Sequence, residues 1–265
     1  MTKTLTLLFV CLCSASLGVF AQPTKSMTLL ERADDYRHEG KYRQSLRLLK
    51  KLLKKEPNNP DAYFSLALTY WQLRQPKEEE QAYQKALLLA PLTPKIYYYY
   101  GDFLSGQKRL TEARNLYTLG TQKLPQDAKM YAELGFVLKR MKDYPAALAA
   151  YNKAIALNPE SSGAYYQRGA IYERFKMYEK ALADYDKCIA LEPSSLRLNT
   201  RARLRFSLGD YSGAMADYRA EARLDTTGRR TFDLKNYREL AFSASSLAYD
   251  QWRKKDLAKA QVYGQ

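Results

Sequence analysis

The residues that could carry bond-making chemistry are few. His38 is the single histidine of the chain, and with no second imidazole nothing completes a metal site or a nucleophile, base and acid triad. It stands beside Glu39 near an expected turn and reads as a surface residue. Glu78, Glu79 and Glu80 form an acidic run, but the run falls where a helix begins, and the helix dipole favours negative charge there. Cys188 occupies a column of small residues that face the core, which reads as a packing thiol. No glycine-rich phosphate loop occurs. The sequence thus presents no catalytic set, and it assigns no cofactor and no metal.

Recognition chemistry is better supplied. Tyr accounts for 23 residues against 9 Phe, so most large rings carry a hydroxyl that needs water or a partner. Forty-three Lys and Arg against 28 Asp and Glu give a net charge of +15. Such an excess suits an acidic protein, anionic lipid or nucleic acid, or simply a solvated basic surface. At 265 residues with 46% apolar content, 12 Gly and 10 Pro, the chain is long enough for a continuous core and rich in regular structure.

The first 21 residues are read apart from the fold. Met1, Thr2 and Lys3 form a short basic start, the stretch from Leu5 to Phe20 carries no charge, and Val19-Phe20-Ala21 ends on the small residue a signal peptidase accepts. Cleavage is expected between Ala21 and Gln22, giving an exported, periplasmic or secreted protein of charge +14, since Lys3 is the leader's one charged residue. The apolar run is shorter than the ~20 residues of a spanning helix, so any membrane contact would come through an uncleaved leader. Lipidation is disfavoured because Cys11 follows Val10 and Cys13 follows Leu12. Losing both leaves Cys188 as the one cysteine, without an internal disulfide.

The elements that position everything else are set by a period. Pro57, Pro91, Pro125, Pro159 and Pro193 lie 34 residues apart, the signature of a repeat architecture. Placing each proline at position 32 gives units 26–59, 60–93, 94–127, 128–161, 162–194 and 195–225. Position 8 is then always small: Ala33, Ala67, Gly101, Gly135, Gly169 and Ala202. Position 20 is mostly small (Ser45, Glu79, Ala113, Ala147, Ala181, Ala214), as is position 27 (Leu52, Ala86, Gly120, Ala154, Cys188, Glu221). Large side chains fill position 4 (Leu29, Tyr63, Tyr97, Tyr131, Tyr165, Leu198) and position 24 (Leu49, Tyr83, Tyr117, Tyr151, Tyr185, Tyr218). Apolar spacings of three and four predict two helices per unit, with the break at Gly40-Lys41-Tyr42, Lys142-Asp143-Tyr144 and Gly209-Asp210-Tyr211.

These columns, with stretches such as Arg168-Gly169-Ala170-Ile171-Tyr172 and Ala181-Leu182-Ala183-Asp184-Tyr185, resemble the tetratricopeptide repeat family. The resemblance covers residues 26 to 225 and implies an all-α, right-handed solenoid of helix-turn-helix repeats. Departures are Glu79 and Glu221 at small positions, Pro76 in a turn, and Arg205 at an aromatic position, relieved by Phe206 one place on. Residues 226–265 are read as a connecting segment followed by an incomplete seventh repeat or capping helices.

The resemblance also implies where a partner would bind: positions 2, 5, 9, 12 and 13 of each first helix, lining a concave face. In this sequence they include Phe64, Trp71, Tyr98, Phe136, Lys139, Arg140, Tyr166, Arg174, Arg203 and Phe206. Rings with cations between them suit a protein or peptide of acidic character. The family's clamp for a free carboxylate terminus needs Lys at position 5 and Asn at position 9, and the first unit offers Leu30 and Asp34, the second Phe64 and Leu68. The expected function is a non-enzymatic protein-interaction scaffold; the alternative is a carbohydrate- or peptidoglycan-binding envelope protein. Nucleic acid is disfavoured by export and the absence of a binding motif. Partner identity and oligomeric state are left open.

Overall fold

The computed structural model describes residues 27–224, which form twelve α-helices and no strand among the described residues. They are α1 (Leu29–His38), α2 (Tyr42–Lys55), α3 (Pro60–Gln72), α4 (Pro76–Leu89), α5 (Pro94–Gly106), α6 (Leu110–Lys123), α7 (Ala128–Arg140), α8 (Tyr144–Leu157), α9 (Ser162–Arg174), α10 (Tyr178–Leu191), α11 (Ser195–Ser207) and α12 (Tyr211–Leu224). The fold is an all-α solenoid type built from helical hairpins. The leader and the stretch read as a seventh repeat lie outside the described residues.

Each hairpin is closed by the same turn. Gly40, Arg74, Lys108, Lys142, Lys176 and Gly209 all adopt positive φ, from 56° to 84°. The following amide bonds back five residues along the chain, as in Asp143 to the Leu138 carbonyl at 3.0 Å, while Lys142 reaches Lys139 at 3.0 Å. This 6→1 and 5→2 pair satisfies carbonyls that the helix end leaves open. Gly adopts the left-handed region without penalty, whereas Lys or Arg costs about 1 kcal/mol or more there. First helices open on Asn59, Asp127 and Ser194, whose side chains accept from amides three residues on, and on Pro60 and Pro94 at the first turn.

The chain divides into two compact units, residues 1–82 and 83–265. In the first, α1 and α2 pack on α3. The hydroxyl of Ser45 meets that of Thr69 at 3.2 Å, and Ser65 donates to Asp34 Oδ1 at 2.8 Å, so buried polar groups at these crossings are satisfied. In the second, each hairpin packs on the next, from α5 through α12. Its core is built on position 24: Tyr117, Tyr151 and Tyr185 are each at most 1% exposed. Each ring lies across a position-8 glycine. A Cβ on Gly101 would come within 2.2 Å of the Tyr117 ring, and one on Gly135 or Gly169 within 2.9 Å of Tyr151 or Tyr185.

Two departures from the repeat columns resolve differently. Arg205 is held by carboxylates, with Nη1 3.1 Å from Asp217 Oδ2 and Nη2 3.4 Å from Asp186 Oδ1. Phe206 packs beside the buried cluster of Ala202, Ala214 and Tyr218 and edge-on to Tyr211 at 5.1 Å. Glu79 is 4% exposed, and burial pushes its carboxyl up to about 7.

Gly101→Ala is expected to lower the melting temperature, because the clash with a fixed ring, worth about 1–3 kcal/mol, exceeds the ~1 kcal/mol gained in helix propensity. Gly106→Ala, which meets nothing within 4 Å, should raise it; both are read by thermal circular dichroism. For Glu79 the folded chain retains a proton that the unfolded chain releases between pH 4.5 and about 7. Its contribution is therefore full below 4.5 and declines as pH rises through that window. Glu79→Gln should raise the melting temperature more at pH 8 than at pH 5, and equal increments would contradict the buried-acid account.

Candidate functional site

Eight of the ten residues assigned to a partner-binding face fall in the second unit, on α5, α7, α9 and α11; α5 packs on α7 and α7 on α9. Phe64 and Trp71 lie on α3 in the first unit. Their environments differ. Trp71 is 59% exposed, whereas Phe64 is 8% exposed and its ring belongs to the core of that unit, so α3 presents Trp71 and not Phe64 to a partner.

On the second unit the rings are anchored by polar contacts between neighbouring hairpins. Tyr98 is half-buried and donates to the Asp127 carboxylate at 2.6–2.7 Å. Burial first, then that bond, holds its phenol well above the usual range. Asp127 Oδ1 also caps α7 by accepting from the Met130 amide at 3.0 Å. The Tyr166 hydroxyl lies 3.3 Å from that of Thr200, joining α9 to α11. Phe136 is 37% exposed, with the Arg140 guanidinium over its ring at 5.9 Å. Phe206 is the exception, since its ring is spent on the packing of α11 against α12.

The cations also bridge helices. Lys139 donates to Gln167 of α9, and burial pulls its ammonium below the usual lysine range. Arg140 donates to the Ser105 carbonyl of α5 at 3.2 Å. Arg174 sits over the Tyr144 ring at 5.1 Å, at the hairpin-turn edge. Arg203 is exposed on α11. Lys139, Arg140 and Arg174 are therefore positioned before any partner arrives, which limits the rotamer entropy lost on binding.

The face is not purely basic. Position 9 places Asp102 on it, position 6 places Glu133 and position 2 places Lys129, whose ammonium lies 4.2 Å from the Tyr98 ring centroid. Both carboxyls are raised, chiefly by lost hydration; the charge of Asp102 raises Glu133 further and Lys129 opposes the shift in each. Asp102 and Lys129 stand at family contact positions that sequence reasoning missed. Glu133 lies one step outside those positions.

Other reactive groups are quiet. His38 is exposed at the end of α1. Cys188 is fully buried, and burial pushes its thiol up to about 11, so it is neutral and inert at physiological pH. Among the described residues no three His, Cys, Asp or Glu are gathered for a metal, and no helix is long and apolar enough to cross a membrane.

Sequence models described as tetratricopeptide repeat match residues 30–91 and 162–195, and one described as TPR repeat matches 140–174. Residues 30–91 and 140–195 of the chain are thus tetratricopeptide repeats. Solved structures share its fold. PilF of Pseudomonas aeruginosa is 22% identical, covering 80% of this chain and 95% of that one with a TM-score of 0.64. PilW, described as a widely conserved type IV pilus biogenesis factor, is 20% identical over 79% of this chain and 96% of its own, with a TM-score of 0.62. MamA is 26% identical over 60% of this chain and 94% of its own, at 0.54. No curated protein matches the sequence of this repeat protein.

Tyr98→Phe tests whether the ring is anchored as described. Losing a bond to a charged acceptor should lower the unfolding free energy by about 1.5 kcal/mol in urea titration, with helix content unchanged. An unaltered midpoint would remove this bond from the account of how the face is held.

Proposed function

We propose that this chain is an exported, non-enzymatic scaffold that holds an acidic peptide or protein segment along the first-helix face of its second unit. Tyr98, Phe136 and Tyr166 supply apolar area, and Lys139, Arg140, Arg174 and Arg203 supply charge-assisted hydrogen bonds. The observation that carries this reading is the Phe136 and Arg140 pair: an exposed ring with a guanidinium over it, the guanidinium held in turn by the Ser105 carbonyl of α5. Binding sites for proteins concentrate their energy in such aromatic and Arg anchors, and the cations here are already oriented. Trp71 offers a further anchor on the first unit. The fold supports the same reading in general terms, since a structure with this fold, YrrB, is described as having an unusual peptide-binding site (20% identity, TM-score 0.52).

The triple variant Lys139→Glu, Arg140→Glu and Arg174→Glu is expected to lose capture of the partner that wild-type protein retains from envelope extract. Its melting temperature should stay within a few degrees, because the contacts these side chains make are exposed or half-buried. Capture at the wild-type level would overturn the assignment of this face. Export is tested separately by the mass of the chain recovered outside the cytoplasm, expected to begin at Gln22; a chain beginning at Met1 would overturn cleavage.

A further inference from the structure

In the second unit, the first half of α10 and the turn that follows α11 border an open groove of about 520 Å³. Met177 and Leu208 stand 40% and 44% exposed beside it. Tyr178 and Leu182, which also line it, are half-buried against the cluster of Tyr185, Cys188 and Leu204, so the groove has an apolar floor fixed by the core. Its lining comes from a second helix and two hairpin turns, and none of it from a first helix.

Met177 breaks a pattern of the repeat. The residues that precede the six second helices are Lys41, Gln75, Arg109, Asp143, Met177 and Asp210, polar in every hairpin but the fifth. Asp143 and Asp210 use the place to accept from amides three residues on, Ala146 at 3.3 Å and Gly213 at 2.9 Å. Met177 makes no such cap, so α10 goes without about 1 kcal/mol of capping while a flexible thioether is left in solvent. Phe175, two residues back, is 52% exposed and meets the Tyr144 ring edge-on at 5.3 Å, which carries exposed apolar surface to the preceding hairpin. Large apolar side chains clustered in this way on a surface mark an interaction site.

Charge selects the occupant. Lys176 and Lys180 line the groove and make no ion pair among the described residues, the Lys180 ammonium lying 5.7 Å from the Tyr172 ring centroid. Glu179 is the one carboxylate of the lining. Acidic groups of the adjoining segments are already engaged: Glu173 accepts from Tyr185 Oη at 2.6 Å, and Asp210 holds the Gly213 amide and lies 3.7 Å from Arg205 Nε. The groove therefore offers apolar surface with a cationic excess. A second copy of this chain brings the same charge of +15 and is repelled. A lipid surface is met by side chains that protrude, whereas a groove of this size receives side chains from a partner.

We propose that this groove is a second docking site, taking an acidic protein segment that inserts a bulky aliphatic or aromatic side chain beside Met177 and Leu208 and sets carboxylates against Lys176 and Lys180. A methionine wall suits that task, because its thioether adapts to a ring or a branched chain alike. An apolar anchor in a pocket, rimmed by polar contacts, is how a small interface concentrates its affinity. The site uses none of the residues of the first-helix face.

The probe is an acetylated hexapeptide amide with a central Leu-Phe pair and two acidic residues on either side, titrated into the full chain and followed by amide shifts. Saturable binding is expected, with shifts at residues 176–182 and 208. A peptide with Ser-Ser at its centre, and one with lysines in place of the acidic residues, should each bind about tenfold more weakly or worse. The double variant Met177→Glu and Leu208→Glu should lose binding while its melting temperature stays within a few degrees, because both side chains are largely in solvent; the similarly exposed control Leu119→Glu should bind normally. If that double variant fails to fold, Lys176→Gln with Lys180→Gln should weaken binding about threefold or more. Wild-type protein that binds no peptide, equal binding of either control peptide, or unchanged affinity in the groove variants would overturn the site. Shifts confined to α5, α7 and α9 would overturn the groove and leave the first-helix face standing. Adsorption to phosphatidylglycerol vesicles that the Met177→Glu and Leu208→Glu variant loses, without peptide binding by the wild type, would overturn the protein partner in favour of a membrane.

Discussion

The close crossing of the two helices within a hairpin is the constraint from which the second unit follows. Gly101, Gly135 and Gly169 have no side chain because the rings of Tyr117, Tyr151 and Tyr185 occupy the space a Cβ would need. With the rings fixed in the core, their hydroxyls must emerge near the first helices, at the Tyr98 carbonyl, beside Glu133 and on Glu173. Packing thus decides which polar atoms lie beneath the first helices. A larger residue at position 8 would displace the ring and, with it, the polar atom.

The same economy governs the cations. Lys139 ties α7 to α9 and Arg140 ties α7 to α5, so the cations proposed to meet a partner also hold successive first helices in register. Elsewhere the ties are plain ion pairs: Arg168 grips Asp184 at 2.6–2.8 Å within the fifth hairpin, and Arg201 reaches both Asp217 of its own hairpin and Asp186 of the preceding one. Partly buried and multiply bonded, these pairs fix geometry more than they add net stability.

The all-α hairpin architecture could be read from the sequence because it rests on sterics, and sterics write themselves as residue size at fixed spacing. The proline interval and the small column at position 8 are of that kind. Side-chain direction is not. Phe64 and Phe206 share their repeat positions with Tyr98, Tyr166 and Trp71, yet their rings turn into the core because local neighbours leave room there. Arg205 looked like a vacancy needing a ring, and Asp217 and Asp186 made it a salt-bridge hub instead. Asp102 and Glu133 escaped for another reason: both carboxyls are raised chiefly by lost hydration, and that burial is invisible until the surrounding side chains are placed.

The left-handed turn residues carry a consequence for how the array comes apart. In the first and last described hairpins that residue is glycine, Gly40 and Gly209, while Arg74, Lys108, Lys142 and Lys176 occupy it in the four between. Within the second unit the left-handed cost of about 1 kcal/mol thus falls on the third, fourth and fifth hairpins and is spared in the sixth, so local opening would begin more readily among those three turns than at Gly209.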